Sequence, residues 1–452
     1  MHVDHQTLRD LEVKSTPGGT PDLLDFLNRA RTRGGRDAFR RRLTRPLSSA
    51  RSIAAVQETL RFITGNRGLF DSLPDDTQVL ALHRYLDSRF TTLKSLNDPG
   101  LAFESWWVRR RYPELYREAL RGTKLVADFL SRIANLLPDL EEAPEPLADY
   151  LAECRLLVHA EAMTIFTARR RIFTKTRSVF LQDNAAREKG RAALSRLIEL
   201  IHEIDALVSM ADATAERDYV FPLMDADFDG ISFSGLRHPF LTHPTENEFS
   251  LVDGARLLFL TGPNMAGKST YLKSVGLAVI LAHAGMGVPA RSGRLGVFHR
   301  VITAIRTEDD LRQGVSYFQA EARRVRDIAR HLTSGERCLV IGDELFRGTN
   351  VKDACDASLT VLATFAATPH GRFVIASHLT ELADELRAVN GVVFRRFEAA
   401  VAGQSLAFDY QLKEGVSTQR LGMLVLDREG VIEVLALVRG MSHDGDHAAR
   451  GA

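Results

Sequence analysis

Apolar residues recur every three or four positions through the first half of the chain, then give way to short unbroken runs. In LLDFLNRARTRGGRDAFRRRL, Leu24, Leu27, Phe39 and Leu43 stand on an otherwise basic background. Leu194, Leu197, Ile198, Ile201, Ile204, Leu207 and Val208 repeat at helical spacing, which predicts one amphipathic helix from about Ala185 to Ala215. At the helical rise such an element would be a strut of about 45 Å. Three prolines between Pro138 and Pro146 predict a loop. From near Tyr219 the pattern changes: LLFLTG, CLVIGD, RFVIAS and GVVFRRF are apolar runs separated by helical stretches. Strands alternating with helices indicate a parallel α/β sheet. The expected organisation is a helical region over 1–218, an α/β region over 219–438 and a polar, frayed tail over 439–452. No run approaches the roughly 18 apolar residues of a membrane-spanning helix.

Composition narrows the class without naming it. The 452 residues are 45% hydrophobic and 26% charged, with a net charge of +1. This is enough apolar sequence for two or three cored domains and excludes a largely disordered chain. Three cysteines make neither a disulfide framework nor a zinc spacing. The opening MHVDHQTLRD has no charged-then-apolar leader, so a soluble, cytoplasmic protein with no membrane association is expected. Charge is unevenly spread: eight arginines and one acid lie between Arg29 and Arg45. That cluster is either a solvated helix face or a set of phosphate contacts. RRRIFTKTR, from Arg169 to Arg177, interleaves basic and aromatic residues and is a second candidate for DNA contact. The pair Trp106-Trp107 is expected to serve helix packing.

Lysine is scarce, nine against fifty arginines, so a lysine inside a motif carries information. The run LLFLTG leads into Gly262-Pro263-Asn264-Met265-Ala266-Gly267-Lys268-Ser269-Thr270 and then a helical stretch. This is G-x4-G-K-[ST] in strand–loop–helix context, the arrangement that binds nucleotide phosphates. Glycines let successive amides point inward at phosphate oxygens, and the helix adds its positive end. Lys268 would reach the β- and γ-phosphates of ATP, with the Ser269 hydroxyl on Mg²⁺. The run CLVIGD ends in Asp343 and Glu344. Asp343 suits Mg²⁺, and Glu344 suits polarising a water. The run ending at Ser377-His378 brings a third polar group to a strand end, where open α/β sheets bind ligands; His378 would sense the γ-phosphate or orient the water.

These segments resemble the MutS family, the ABC-related ATPases of DNA mismatch repair. TGPNMAGKSTYL is similar to that family's P-loop, LVIGDELFRGTN to its Walker B and D-loop, and IASHLTEL to its switch-histidine segment. DDLRQGVSYFQAE resembles the stretch whose serine, here Ser316, reaches the nucleotide of the partner subunit. GLRHPF resembles the entry to the ATPase domain. The resemblance implies that Phe249 stacks on adenine, with Tyr410 a weaker candidate for the opposite face. DHQTLRDLEV and the arginine-rich segment after it resemble the opening of the family's helical core and lever domain. The implied fold is α + α/β, a helical core/lever domain followed by an ABC-type P-loop ATPase domain with an abbreviated dimerisation segment. No Phe-x-Glu triplet, the family's mismatch wedge, occurs in the sequence, which implies a short form without the mismatch-reading, connector and Smr domains. The implied function is a DNA-responsive ATPase acting as a homodimeric clamp on double-stranded or branched DNA, with a downstream repair protein as further partner. Two alternatives stay open: an ATP-driven switch acting on a protein partner without DNA, and a non-enzymatic nucleotide-binding dimer.

Overall fold

The computed structural model describes residues 1–14, 22–88, 100–137, 142–167, 176–305, 317–402, 405–419, 426 and 429–436. Two units emerge, one of residues 1–11, 222–279 and 289–452, the other of residues 12–221 and 280–288. The first eleven residues therefore do not group with the helices that follow them, as the expected 1–218 region required. Strand β1 (His2–Val3) pairs in parallel with Arg300 and Val301. Helix α1 (His5–Asp10) is tied to the same strand: Thr303 N donates to Thr7 Oγ1 at 3.0 Å, and Thr303 Oγ1 donates to Asp10 Oδ2 at 2.6 Å. No local pattern encodes bonds of such sequence separation.

The helical unit contains α2 (Leu23–Leu27), α3 (Arg33–Thr44), α4 (Ala50–Gly65), α5 (Asp76–Leu86), α6 (Gly100–Arg111), α7 (Pro113–Leu136), α8 (Leu147–Val158), α9 (Thr164–Thr167), α10 (Thr176–Asn184) and α11 (Arg191–Glu216). The strut is shorter than expected. Residues Ala185–Lys189 form a π turn, and α11 begins only after Gly190. A side chain at Gly190 would lie 1.9 Å from Met163 Cε, so the break falls at a residue where only glycine leaves room for the packed methionine. The 26 residues of α11 then extend about 39 Å. The expected loop holds for its described part: residues 142–146 join α7 to α8 outside either helix.

Helices α3 and α11 approach closely because the first turn of α3 carries Gly34 and Gly35. Cβ atoms there would lie 2.1 Å from His202 Nδ1 and 2.1 Å from Asp205 Oδ2. Asp205 is buried and accepts three hydrogen bonds, from Arg31 N (3.1 Å), Thr32 N (2.8 Å) and Thr32 Oγ1 (2.7 Å). Thr32 Oγ1 in turn caps α3 by accepting from Gly35 N at 2.9 Å. The arginine cluster, a candidate phosphate surface, is largely consumed inside this unit. Arg29 pairs with Glu216, Arg31 with Asp71, Arg33 with Asp76, and Arg41 and Arg42 both with Glu203, at 2.7–3.3 Å. Basic density in the sequence is here balanced by acids more than thirty residues away. The second candidate stretch lies mostly outside the described residues, since 168–175 are not among them.

The other unit continues with β2 (Leu223–Met224), β3 (Ile231–Leu236), β4 (Asn247–Leu251), β5 (Leu257–Thr261), α12 (Lys268–His283), β6 (Ser292–Leu295), β7 (Arg300–Ala304), α13 (Tyr317–Thr333), β8 (Cys338–Asp343), α14 (Val351–Ala367), β9 (Gly371–Ala376), α15 (Glu381–Leu386), β10 (Val392–Arg396), β11 (Ala399–Ala402), β12 (Ser405–Phe408) and β13 (Lys413–Glu414). Its main sheet runs β1-β7-β8-β9-β5-β10-β13, parallel except for β13 at one edge. The four apolar runs seen in the sequence are its four adjacent strands β8, β9, β5 and β10. Strands β5, β8 and β9 are buried along their whole length, as an unbroken apolar run requires when both faces are covered. Helix α12 is apolar on nearly every side: Leu272, Val275, Leu277, Val279 and Ile280 are all fully buried. A smaller sheet, β2-β6-β3-β4, lies outside the expected pattern. Its strands interleave buried residues with partly or fully exposed ones, so they leave no unbroken apolar run. Among the described residues no helix is long and apolar enough to cross a membrane.

Asp205→Ala leaves three donors without their acceptor, and we expect a loss of about 3 kcal/mol in urea unfolding. A midpoint equal to that of the unmodified protein would show that Asp205 does not hold α3 to α11.

Candidate functional site

Strand β5 ends at Thr261, and the chain turns sharply at Gly262 with φ +147°. A Cβ there would sit 2.8 Å from the Phe397 carbonyl oxygen, so only glycine allows the strand to leave the sheet at this point. Pro263 O accepts from Ala266 N at 3.3 Å, Met265 takes φ +71° with its side chain exposed, and Gly267 takes φ +99°. Helix α12 starts at the next residue, so its unpaired amides and positive end face the loop. Lys268, the first residue of α12, is buried. Its Nζ donates to Gly262 O at 2.7 Å and Pro263 O at 3.2 Å. Burial pulls the ammonium below the ordinary lysine range, and the carboxylates of Glu344 and Asp343 work against that pull.

Two strands away, β8 ends at Asp343, which accepts a hydrogen bond from Ser269 Oγ at 2.5 Å. Glu344 follows with φ +57° and donates its amide to Ala376 O of β9 at 2.9 Å. That bond turns the Glu344 side chain off the sheet edge. Its Oε2 lies 2.8 Å from Arg347 Nε and its Oε1 lies 3.4 Å from His378 Nδ1. Arg347 also donates to Asp343 O at 3.0 Å. Beneath this turn, buried Glu321 accepts from the amides of Arg347 and Gly348 at 3.3 and 3.4 Å. Burial raises the Glu321 carboxyl above the usual range, against the pull of those amides and the Arg347 charge.

A cavity of about 820 Å³ opens over these residues, within the range of small-molecule sites. Its lining includes Asn264, Met265, Lys268, Ser269, Asp343 and Glu344, together with His238, Leu241, His243, Asn247 and Tyr410. The paired donors Ser269 Oγ and Asp343 Oδ2 are hard oxygens suited to a small divalent cation such as Mg²⁺. The loop amides, the helix end and Lys268 suit a polyphosphate. Thus the residue set fits both ligands that the sequence called for.

Not every expected residue arrives there. Phe249, expected to stack on adenine, does not line the cavity. It is 1% exposed and packs between Phe233 and Tyr271, with ring centroids 6.4 and 6.3 Å away. Its place on β4 turns it into the core behind α12. Tyr410 does line the cavity, in a loop clamped by Asn247, whose Nδ2 donates to Tyr410 O (3.0 Å) and whose Oδ1 accepts from Leu412 N (2.7 Å). Ser316 lies outside the described residues. His238 belongs to the GLRHPF segment, whereas Asn247 and His243 come from the small sheet and its connections and carry no local signal. Arg347 had a readable signal, a cation three residues after Glu344, although its partner is apparent only in the folded turn.

Comparison with known families covers both halves. MutS domain III matches residues 6–211, and MutS domain V, the ATPase domain of that family, matches residues 258–440. The second match spans β5, the glycine loop, β8 with its two acids, and β9 with His378. With matches to two domains over most of its length, the chain belongs to the MutS family.

Proposed function

We propose that this protein is an ATP hydrolase of the MutS type, working as a homodimer on double-stranded or branched DNA in mismatch repair or related processing. The observation that carries the reading is the convergence of Lys268, Ser269, Asp343 and Glu344 on one cavity at the C-terminal edge of β5 and β8. Hydrolysis of a phosphoanhydride needs charge neutralisation and a positioned water more than covalent help. Lys268 would exchange the carbonyls of Gly262 and Pro263 for β- and γ-phosphate oxygens, which are stronger acceptors of an ammonium hydrogen bond. Ser269 and Asp343 would hold Mg²⁺, whose charge offsets that of the phosphates. Glu344 orients the water that attacks the γ-phosphorus and accepts its proton as ADP leaves. Arg347 and His378, on the two oxygens of Glu344, fix the direction in which that carboxylate points. Ser316 would complete the site of the partner subunit, so the dimer is part of the enzyme.

A second reading keeps ATP hydrolysis but directs it to a protein partner without DNA. The ion-paired arginine cluster favours it, because guanidiniums already bound to Glu203, Asp71, Asp76 and Glu216 are poorly placed to neutralise phosphates. Steady-state hydrolysis with homoduplex, mismatched and four-way-junction DNA at two salt concentrations separates the two. Stimulation by one DNA form that weakens with salt supports the DNA reading. Turnover indifferent to every DNA supports the protein partner.

Lys268→Ala is expected to abolish ATP binding by equilibrium titration. Glu344→Gln should bind ATP like the unmodified protein yet hydrolyse it about 10²-fold more slowly; equal turnover would remove the water-orienting role. Mixed dimers of Ser316→Ala and Lys268→Ala subunits should keep at most one competent site, and full turnover in that mixture would refute a shared site.

A further inference from the structure

Helix α6 is turned the unexpected way round. Its packing face carries Ser105, Val108 and Arg109. Ser105 is fully buried, with no hydrogen-bond partner for its hydroxyl among the described residues. Val108 joins a small core with Ala119, Val179 and Phe180, and Arg109 donates to Thr176 Oγ1 at 2.9 Å. The opposite face, at helical spacing, carries Phe103, Trp106, Trp107, Arg110 and Arg111. Phe103 is 67% exposed, Trp106 55% and Trp107 46%. These are the largest apolar side chains available, and they face water while a serine is buried. The rings form two pairs: Phe103 and Trp106 centroids are 6.1 Å apart, and Trp107 meets Tyr112 at 5.7 Å. Arg111 lies over the Tyr112 ring at 5.5 Å, and Arg110 has no acidic partner among the described residues. Packing was the expected role of Trp106-Trp107; the folded chain uses neither for it.

Large apolar side chains exposed side by side mark an interaction surface, and its chemistry limits the choice. Flat π faces lie beside Arg110 and Arg111, which have no acidic partner among the described residues, and α6 contains three arginines and one acid. A second copy of the same face would set arginine against arginine, which like-charge repulsion disfavours. A polyanion whose units carry flat rings satisfies both features, and its bases can reach the protein rings only where they are unpaired. We infer that the outward face of α6 is a stacking platform for unpaired nucleotides of a DNA strand, such as those at a gap, bulge or junction. Trp106 and Trp107 take the bases, and Arg110 and Arg111 take the phosphates. This rests on the DNA reading above and names the class of DNA.

The two residues are the only tryptophans in the chain, so emission excited at the red edge, where tyrosine does not absorb, reports on this face alone. Purified full-length protein is titrated with an oligothymidylate and with a blunt duplex of equal length, with anisotropy of the labelled DNA followed in parallel. The oligothymidylate should quench the emission and the duplex should not. In W106A/W107A the strand affinity by anisotropy should fall about tenfold or more, with duplex affinity and basal ATP turnover unchanged. R110Q/R111Q should weaken strand binding and flatten its salt dependence. Strand binding without quenching, and at unmodified affinity in W106A/W107A, overturns the platform and leaves the DNA reading standing. Anisotropy that no DNA changes overturns both. Emission that follows protein concentration and ignores DNA assigns the face to self-association and overturns the inference. Should the double variant lose its helical circular dichroism, quenching of the unmodified protein decides alone.

Discussion

A buried ammonium organises the α/β unit. Lys268 sits at the first turn of α12, removed from water, and its charge is met by the carbonyls of Gly262 and Pro263 and by the nearby carboxylates of Asp343 and Glu344. Two carbonyls can converge on one nitrogen only if the chain reverses tightly, which is why Gly262 and Gly267 take conformations closed to other residues. Carboxylates can stand opposite only if β5 and β8 end at the same edge, which the parallel order β8-β9-β5 ensures. The desolvation that lowers the lysine pKa also strengthens its attraction for any anion entering the cavity.

The carboxylate side is held with comparable redundancy. Glu344 is joined to β9 through its amide and to Arg347 and His378 through its side chain. The turn that presents Arg347 rests on Glu321, a buried acid whose two amide partners belong to that same turn. Three non-contiguous segments therefore set the direction of one side chain. In the helical unit a different economy holds. Arginines and acids there are matched across helices, and Asp205 accepts three hydrogen bonds where α3 meets α11. Against that background α6 is the exception: its rings are exposed, and Arg110 and Arg111 have no acidic partner among the described residues.

What the sequence determined by itself was local. The runs LLFLTG, CLVIGD, RFVIAS and GVVFRRF became β5, β8, β9 and β10, because strands buried on both faces must be apolar throughout. The glycine loop, its lysine and the paired acids were legible because their spacing is itself the chemistry. Tertiary structure decided whatever depended on distant neighbours. The long helix begins only after Gly190, which packs directly against Met163. Acids far along the chain consume the arginine cluster. Phe249 is turned into the core and away from the cavity by the register of β4 on β3, and the packing of α6 through Val108 sends both tryptophans outward. Periodicity reports that a residue lies on a face; only the packed neighbours decide whether that face meets protein or water.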